Sequence, residues 1–354
     1  MISIERLKNT NIKGGISMFY PEFIKEKDTI GITALSNGVV NKLKINRLEN
    51  AHRKLQKKGY HIIETDDVRK DRYGKSAPSK VQAKELEELY LKKEVKLILI
   101  AAGGDFLMET LPYIDFSILK ENPKWIQGYS DPTLLLFYIT THLDIATIYA
   151  SNACTFGMET WHESLEDNFK ILEGKLLKQT SFEKYEQFPH KEETGLESYN
   201  LDKDVYWNII TEEEKIKTQG RIIGGCLDSL SDIFGTRFDK TLSFIEKYKE
   251  EGIVWYFDVC ELTSEALIRT LWKFREAGWF QYTKCILFSR IIKEESFYGI
   301  SYSQAIKNIL EQLHIPVAIN CDFGHVSPRM TMINGSIANI KIQNGKGEIF
   351  FELK

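Results

Sequence analysis

The chain has few cysteines and prolines and no long apolar run. Its five cysteines are scattered along 354 residues without a CxxC pair, unlike a disulfide framework or a structural zinc site. No segment approaches the roughly 20 apolar residues of a membrane span, and the first residues lack the apolar core of a signal peptide. We therefore expect a protein of the reducing cytosol that does not bind membranes.

The chain also lacks a surplus of positive charge. It has 47 lysines and arginines against 50 aspartates and glutamates, which gives a formal net charge of -3. Without a basic field that gathers phosphates, nucleic-acid binding has no electrostatic support. We therefore expect no nucleic-acid partner.

The sequence does contain enough apolar material for more than one core. Hydrophobic residues make up 43% and charged residues 27% of the chain, as in a globular protein. Because single cores stop growing near about 250–300 residues, we expect two domains. The predicted divisions are a poorly patterned extension (1–17, with Met18 as a second possible start), an α/β domain (18–167), a linker or active-site loop region (168–220) and a second α/β domain (221–354).

The first half alternates strand and helix patterns. The β-branched run DTIGITAL (28–35) is followed by apolar residues at helical spacing over 42–58. The run VKLILIAAGG (95–104) is almost wholly apolar, which is typical of a strand buried on both faces. KWIQGY (124–129) is a further strand that leads directly into a helix pattern. This alternation predicts a doubly wound parallel sheet.

The second half repeats this alternation after a charged, weakly periodic stretch. A buried strand is predicted over 252–259, a helix over 264–277 and another strand over 284–290. A helix near residues 302–313 and a further strand over 315–320 follow. The order predicts a second α/β domain.

The sequence GYSDP (128–132) places a serine where a strand turns sharply into a helix. In such a turn the hydroxyl projects from the sheet edge, and backbone N–H groups at the helix start face the same space. Ser130 is therefore the candidate nucleophile. The motif departs from the G-x-S-x-G pattern because residue 132 is proline, and helix capping by Ser130 or Asp131 is the alternative.

Two glycines, Gly103 and Gly104, end the most apolar strand within AAGGDF (101–106). Ligands of open α/β sheets bind at the carboxyl edge of the strands, and glycines there let backbone N–H groups approach a developing oxyanion. The pattern is not G-x-G-x-x-G, so no dinucleotide is predicted. A plain turn is the alternative.

The sequence CDFGHVSP (321–328) puts a histidine on a loop at a strand end. Catalytic residues are frequent on such loops, so His325 is the candidate base. His142 and His162 are rival bases that the sequence alone leaves open.

Asp258 ends the strand pattern IVWYFD. A carboxylate that leaves a buried strand needs a partner, and a histidine that it orients is one such partner. An ion pair with Arg269 is an alternative role for Asp258. Glu261 and Asp322 are alternative acids for His325.

Five blocks of sequence, in order, resemble the serine LD-carboxypeptidase family, which also contains the microcin C immunity proteins. The blocks are GGDFLMETLPYIDF (103–116), NPKWIQGYSDPT (122–133), GGCLDSL with the following FGT (224–236), WYFDVCELTSEALIRTLWKFREAGWF (255–280) and CDFGHVSPRMTMINGSIA (321–338). Five ordered blocks are more specific than any single motif. Only the 160–215 region matches poorly.

The resemblance implies an amino-terminal α/β domain with the nucleophile and a swivelling, barrel-like carboxyl-terminal α/β domain with the acid and the histidine. It implies that Ser130 attacks the scissile carbonyl and that His325 relays the proton. Backbone N–H groups of Asp131 and Gly104, beside Gly103, are implied as oxyanion donors. The family also suggests a homodimer.

This chemistry uses side chains and backbone amides alone, so we expect neither a cofactor nor a metal. A metal site formed by Cys321, Asp322 and His325 would have too few ligands. The expected partner is a small peptide or a peptidyl nucleotide.

One position departs from the family. Alignment on Arg269 puts Asp258 where the family carries a glutamate, so the acid is one methylene shorter. If the backbone does not come closer, His325 loses its orienting partner and the rate falls by as much as about 10⁴-fold.

The resemblance leaves three functions open. The leading hypothesis is hydrolysis of an L,D-peptide bond, with release of the terminal D-alanine from murein tetrapeptides. One alternative is microcin immunity by cleavage of a peptidyl-nucleotide amide, whose base could stack on Trp161, Phe182, Tyr185 or Trp207. The other alternative is a homologue that binds a peptide without cleaving it.

Overall fold

The computed structural model describes residues 17–188 and 191–354. The predicted extension therefore lies outside the described residues, apart from residue 17. Residues just after it join the fold, because the Phe19 N–H donates to the carbonyl oxygen of Asp144 at 2.7 Å and the Phe19 carbonyl accepts from Ala146 at 2.9 Å.

The first sheet is built mainly from the amino-terminal half. Its parallel strands are β1 (Thr29–Thr33), β2 (His61–Glu64), β3 (Val95–Ile100), β4 (Trp125–Gly128) and β5 (Thr147–Tyr149), and β14 (Met332–Asn334) joins them antiparallel to β5. The strand order is β14-β5-β4-β3-β1-β2. The order reverses between β1 and β3, and ligands of doubly wound sheets bind at such a switch point.

The second sheet has eight strands in the order β6-β16-β15-β10-β11-β12-β13-β9. Their bounds are β6 (Lys178–Thr180), β9 (Asn208–Ile209), β10 (Lys215–Cys226), β11 (Ile253–Asp258), β12 (Thr283–Ser289), β13 (Val317–Cys321), β15 (Ile337–Gln343) and β16 (Lys346–Glu352). The strands β10 to β13 are parallel, and the others pair antiparallel. A separate short hairpin joins β7 (Lys184–Tyr185) and β8 (Lys203–Asp204).

Helices connect the parallel strands. They are α1 (Lys42–Lys57), α2 (Ser79–Leu91), α3 (Phe116–Glu121), α4 (Thr133–Leu143), α5 (Glu163–Leu172), α6 (Leu227–Ile233), α7 (Thr241–Lys247), α8 (Ser264–Glu276) and α9 (Tyr302–Leu310). Side chains that accept backbone N–H groups begin several of them, as Asn41 does for α1 and Thr263 for α8. Among the described helices, none combines the length and hydrophobicity that a bilayer crossing requires.

The predicted fold class, a doubly wound parallel sheet followed by a second α/β unit, is confirmed. The predicted boundaries at 167 and 220 cut through α5 and β10. The segment 168–220 is more than a linker, because it supplies both edge strands, β6 and β9, of the second sheet. Strands of two or three residues are too short to leave a period in the sequence.

Stacked aromatic rings join α4 of the first half to the second sheet. The Phe137 ring lies 5.8 Å from Trp279 with an interplanar angle of 14°, and Trp255 lies 5.7 Å from Trp279 at 12°. Phe274 stacks on the same indole at 3.9 Å. Trp279 is therefore the centre of an apolar cluster that holds the two halves together.

We expect Trp279→Ala to lower the free energy of unfolding by about 3–5 kcal/mol, because it removes a large buried side chain from this cluster. Trp279 is 1% exposed, whereas Trp272 on α8 is 50% exposed. Trp272→Ala is the matched control, with an expected loss below about 0.5 kcal/mol. Urea unfolding of both variants measures the difference, and equal losses would contradict the role of the cluster.

Candidate active site

Ser130 lies between the end of β4 and the start of α4. Its φ of 72° is in the left-handed region, which costs a non-glycine residue about 1–3 kcal/mol. The carbonyl of Ser130 accepts the Thr133 N–H at 2.9 Å, so the strained residue begins the first turn of α4. This is the strand-turn-helix geometry that exposes a nucleophilic serine at a sheet edge.

His325 and Asp258 come from neighbouring parts of the second sheet. Asp258 is the last residue of β11, and His325 lies on the loop that follows β13. The His325 Nε2 is 3.1 Å from the Ser130 Oγ, and its Nδ1 is 2.7 Å from the Asp258 Oδ2. The structure thus brings together all three residues predicted for a triad, in the predicted order of contacts.

The Asp258 carboxylate is fully buried and has further donors. The Tyr149 hydroxyl donates to Oδ2 at 2.5 Å, and the Ser289 hydroxyl donates to Oδ1 at 3.2 Å. The backbone N–H of His325 also donates to Oδ1, at 3.2 Å. A buried carboxylate with several hydrogen bonds keeps its charge at a defined place. The partners of Asp258 in the described structure are thus His325, Tyr149 and Ser289 rather than Arg269, which was the predicted alternative.

Gly324 explains how an acid shortened by one methylene still reaches the imidazole. Its φ is 90°, and a Cβ at this position would overlap the Asp258 Oδ1. Only glycine lets the loop lie this close to the carboxylate. The absence of a side chain at Gly324 therefore permits the 2.7 Å contact between Asp258 and His325.

The coupling of the two side chains changes both pKa values. Burial raises the pKa of Asp258, but the charge of His325 and the hydrogen bonds from His325 and Tyr149 outweigh burial and hold it below its ordinary value. Burial lowers the pKa of His325, and the charge and hydrogen bond of Asp258 outweigh this and raise it well above 6.5. The imidazole is therefore strongly basic.

The predicted oxyanion donors lie beside Ser130. A Cβ at Gly103 would stand 3.1 Å from the Ser130 Oγ, so this glycine keeps space open next to the nucleophile. Gly104 has a φ of 151°, and a Cβ there would overlap the Ser36 Oγ. Within the described residues, neither the Gly104 nor the Asp131 backbone N–H donates to another group. Both are free to bind a developing negative charge.

The side chain of Asp131 has a different task. Its Oδ2 accepts the Leu107 N–H at 2.9 Å. Burial raises its pKa, while hydrogen bonds from Ser36 and Leu107 act in the opposite direction. The carboxylate thus fastens the segment that follows Gly103 and Gly104 to the turn that contains Ser130.

The rival bases lie elsewhere. His162 caps α5, where its Nδ1 accepts the Ser164 N–H at 3.1 Å. His142 stacks on the Tyr138 ring at 4.8 Å, near the end of α4. Among residues 17–188 and 191–354, the histidine that contacts the Ser130 Oγ is His325 and neither of these two.

The rival acids are also engaged elsewhere. Asp322 pairs with Arg290 and accepts the Trp207 indole N–H at 3.0 Å and the Phe182 N–H at 2.9 Å. Asp322 therefore fixes Phe182 and Trp207 to the end of β13 in the second sheet. The Glu261 N–H donates to Asp228, and its side chain is exposed.

A cavity of about 340 Å³ adjoins the serine, with Gly103, Tyr129 and His325 in its lining. Its aromatic residues are Tyr129 and Tyr199 rather than Trp161, Phe182, Tyr185 or Trp207, which do not line it. Sequence reasoning missed these tyrosines because nothing in their spacing marks them. It also missed Tyr149, whose hydroxyl accepts the Ser130 N–H at 3.4 Å as well as donating to Asp258.

Among the described residues, one group of side chains could hold a metal ion. Ligand atoms of Cys226, Asp258 and His325 all lie within 4.8 Å of one another. The metal site considered from sequence, with Cys321 and Asp322, does not form, because Asp322 pairs with Arg290. A metal between Asp258 and His325 would compete with the hydrogen bond that orients the imidazole.

Two family models match this chain. The LD-carboxypeptidase N-terminal domain matches residues 30–150, and the LD-carboxypeptidase C-terminal domain matches residues 219–340. The chain belongs to the LD-carboxypeptidase family. The first match contains Ser130, and the second contains Asp258 and His325.

Relatives fall into two named groups. The Escherichia coli "Microcin C7 self-immunity protein MccF" is 28% identical over 60% of this chain and 62% of its own length. The Bacillus subtilis "Probable murein peptide carboxypeptidase" is 26% identical over 68% of this chain and 69% of its own. Proteins similar to this chain thus include both a microcin self-immunity protein and a murein peptide carboxypeptidase by name.

Solved structures share the fold. An MccF-like protein from Bacillus anthracis has a TM-score of 0.78 at 23% identity and covers 95% of this chain and 100% of that one. MccF in complex with aspartyl sulfamoyl adenosine has a TM-score of 0.78 at 22% identity, with 94% and 98% covered. At 22–23% identity these comparisons show that the fold is shared.

The raised pKa of His325 predicts a pH dependence. The imidazole must be neutral to accept the serine proton, so kcat/KM should rise with pH with a midpoint above 6.5. Asp258→Asn removes the charge that raises this pKa, so the midpoint should move to lower pH while kcat falls by up to about 10⁴-fold.

A pH profile of kcat/KM, with an NMR titration of the His325 ring for the slow variant, measures both midpoints. Glu261→Gln removes a nearby exposed carboxylate and is the control, with an unchanged midpoint expected. A midpoint that stays in place in Asp258→Asn would contradict the coupling.

Tyr149→Phe removes the hydroxyl that donates to Asp258 and keeps the ring. We expect kcat to fall about tenfold with little change in KM, since one buried hydrogen bond contributes about 1–2 kcal/mol. Tyr256→Phe is the matched control, because the Tyr256 hydroxyl donates to Asn334 instead. Steady-state kinetics compare the two, and a kcat within about twofold of wild type in Tyr149→Phe would refute a positioning role.

Proposed function

We propose that this chain is a serine carboxypeptidase that hydrolyses an L,D-peptide bond and releases the terminal D-alanine of a murein tetrapeptide. The observation that carries the proposal is the hydrogen-bonded series Ser130, His325 and Asp258, of which His325 lines a cavity. The cavity of about 340 Å³ lies within the range of small-ligand sites.

The proposed reaction follows the logic of a triad. Ser130 attacks the scissile carbonyl while His325 accepts its proton, and Asp258 stabilises the imidazolium that forms. Backbone N–H groups of Gly104 and Asp131 bind the oxyanion. His325 then protonates the leaving amine, and water hydrolyses the acyl-enzyme by the same steps in reverse.

Of the two alternatives, one has specific support. Cleavage of a peptidyl-nucleotide amide is favoured by the likeness to MccF, and Tyr129 or Tyr199 in the cavity could stack on a base. A binding protein without activity was suggested by the shortened acid at position 258. The 2.7 Å contact between Asp258 and His325 argues against that alternative.

A cytosolic homodimer is part of the proposal. The five cysteines are all free thiols, which suits a reducing compartment in which murein peptides are recycled. Sedimentation equilibrium of the pure chain tests the assembly, since a dimer has twice the 41.0 kDa of the single chain.

Release of D-alanine from a murein tetrapeptide tests the function. We expect the wild-type protein to release it and Ser130→Ala and His325→Ala each to lose at least about 10³-fold in kcat. His162→Ala is the control for loss of a histidine outside the site.

A peptidyl adenylate analogue with a cleavable amide is the second substrate. Turnover of this compound alone would favour the immunity function. Tight binding of either compound without turnover would favour a binding protein.

A further inference from the structure

Arg329 is a buried cation in the wall of the cavity. It follows His325 by four residues, is 5% exposed and lines the cavity together with Tyr129 and His325. Its guanidinium lies over the Tyr129 ring, 4.3 Å from the centroid, and its Nε donates to the Gly324 carbonyl at 2.7 Å. These two contacts fix the plane of the guanidinium beside the residues that flank Ser130 and His325.

The other two buried arginines have carboxylate partners. Arg221 donates to Glu251 at 2.8 Å, and Arg290 pairs with Asp322. Arg329 has no such ion pair within residues 17–188 and 191–354. A buried guanidinium without an anion is costly, because its charge has lost its hydration and gained no counter-charge.

The terminal nitrogens of Arg329 have only weak acceptors. One is 3.5 Å from the Ser151 hydroxyl oxygen and the other is 3.3 Å from the Ser327 hydroxyl oxygen. Both distances are long for a hydrogen bond, and both acceptors are neutral. The pair of nitrogens that forms the guanidinium fork is therefore the part still available to a planar oxyanion, which arginine binds in a bidentate manner.

We infer that Arg329 binds the terminal α-carboxylate of the substrate, which belongs to the amino acid that is released. The inference rests on the proposed function and deepens it, because it names the group that restricts cleavage to the last residue of a peptide. In such a substrate the carboxylate is two bonds from the amide nitrogen. His325 protonates that nitrogen, and Arg329 donates to the carbonyl oxygen of Gly324, the residue that precedes His325.

The other cations of the cavity are less suited to this role. Arg47 already pairs with Glu192 at 3.3 Å. Lys44 is exposed to solvent and offers a point charge without a fork. Both belong to α1, and within the described part of the chain neither forms a hydrogen bond or a cation–ring contact with Tyr129 or Gly324.

Two peptides test the inference. One is the murein tetrapeptide with a free D-alanine carboxylate, and the other is the same peptide ending in D-alaninamide. We expect wild-type kcat/KM to be about 10- to 100-fold higher for the acid than for the amide. This is the ratio expected when the amide loses a charge-assisted pair of hydrogen bonds to the guanidinium. Arg329→Gln should abolish this preference by raising KM for the acid alone.

Arg329→Lys keeps the charge without the fork and should give an intermediate preference, and Arg47→Gln is the control that keeps the wild-type ratio. Equal wild-type rates for acid and amide would overturn the inference. An equal loss for both peptides in Arg329→Gln would also overturn it, since it would place the bound carboxylate elsewhere in the peptide. If Arg329→Gln fails to fold, the ratio of wild-type kcat/KM for the acid peptide to that for the amide peptide, together with the Arg329→Lys variant, tests the inference.

Failure of the proposed function is separable from failure of the inference. If the wild-type protein cleaves neither peptide, calorimetric binding of both peptides to Ser130→Ala, with and without Arg329→Lys, replaces the kinetics. Tighter binding of the acid that Arg329→Lys weakens supports the inference. Equal affinity for the two peptides overturns it.

Discussion

The hydrogen bond between the Asp258 carboxylate and the His325 imidazole determines the geometry of the whole site. It spans from the buried end of β11 to the loop after β13, and it exists because Gly324 has no side chain to keep the two apart. The same approach lets the backbone of His325 donate to the carboxylate, so ring and main chain are oriented together. The contact of the short Asp258 side chain with this loop thus depends on the absence of a Cβ at Gly324.

The site also depends on how the two sheets meet. The carboxyl ends of β4 and of β11 to β13 converge, and this brings Ser130 within 3.1 Å of His325. Asn334 on β14 accepts from the Gly224 N–H at 3.2 Å and from the Tyr256 hydroxyl at 2.8 Å, which ties the edge of the first sheet to β10 and β11. The hydroxyl of Tyr149 on β5 accepts the backbone N–H of Ser130 and donates to Asp258, and so connects the two residues. Strand pairing and side-chain contacts therefore hold the two halves in a fixed relative position.

The sequence predicted the long strands and helices and the three triad positions, because each has a local signature: an apolar run, a turn between strand and helix, or a polar residue at a strand end. It named Asp258 as the acid but left open whether this shorter side chain reaches His325, since the contact depends on the φ of Gly324 and on the approach of two distant segments. Tyr149 and Arg329 were missed because single residues carry no pattern. The short strands β6 and β9 were missed because two or three residues show no period.

The strand β14 has a consequence for how the protein is made. Ser130 precedes His325 by 195 residues, so at about 5–20 residues per second a nascent chain carries its nucleophile for about 10–40 s without its base. During that interval β5 is an open edge, since its partner β14 has not yet left the ribosome. The order of the chain thus keeps Ser130 apart from His325 until the second α/β unit has been synthesised, and it leaves the nascent first sheet with an unprotected edge for that time.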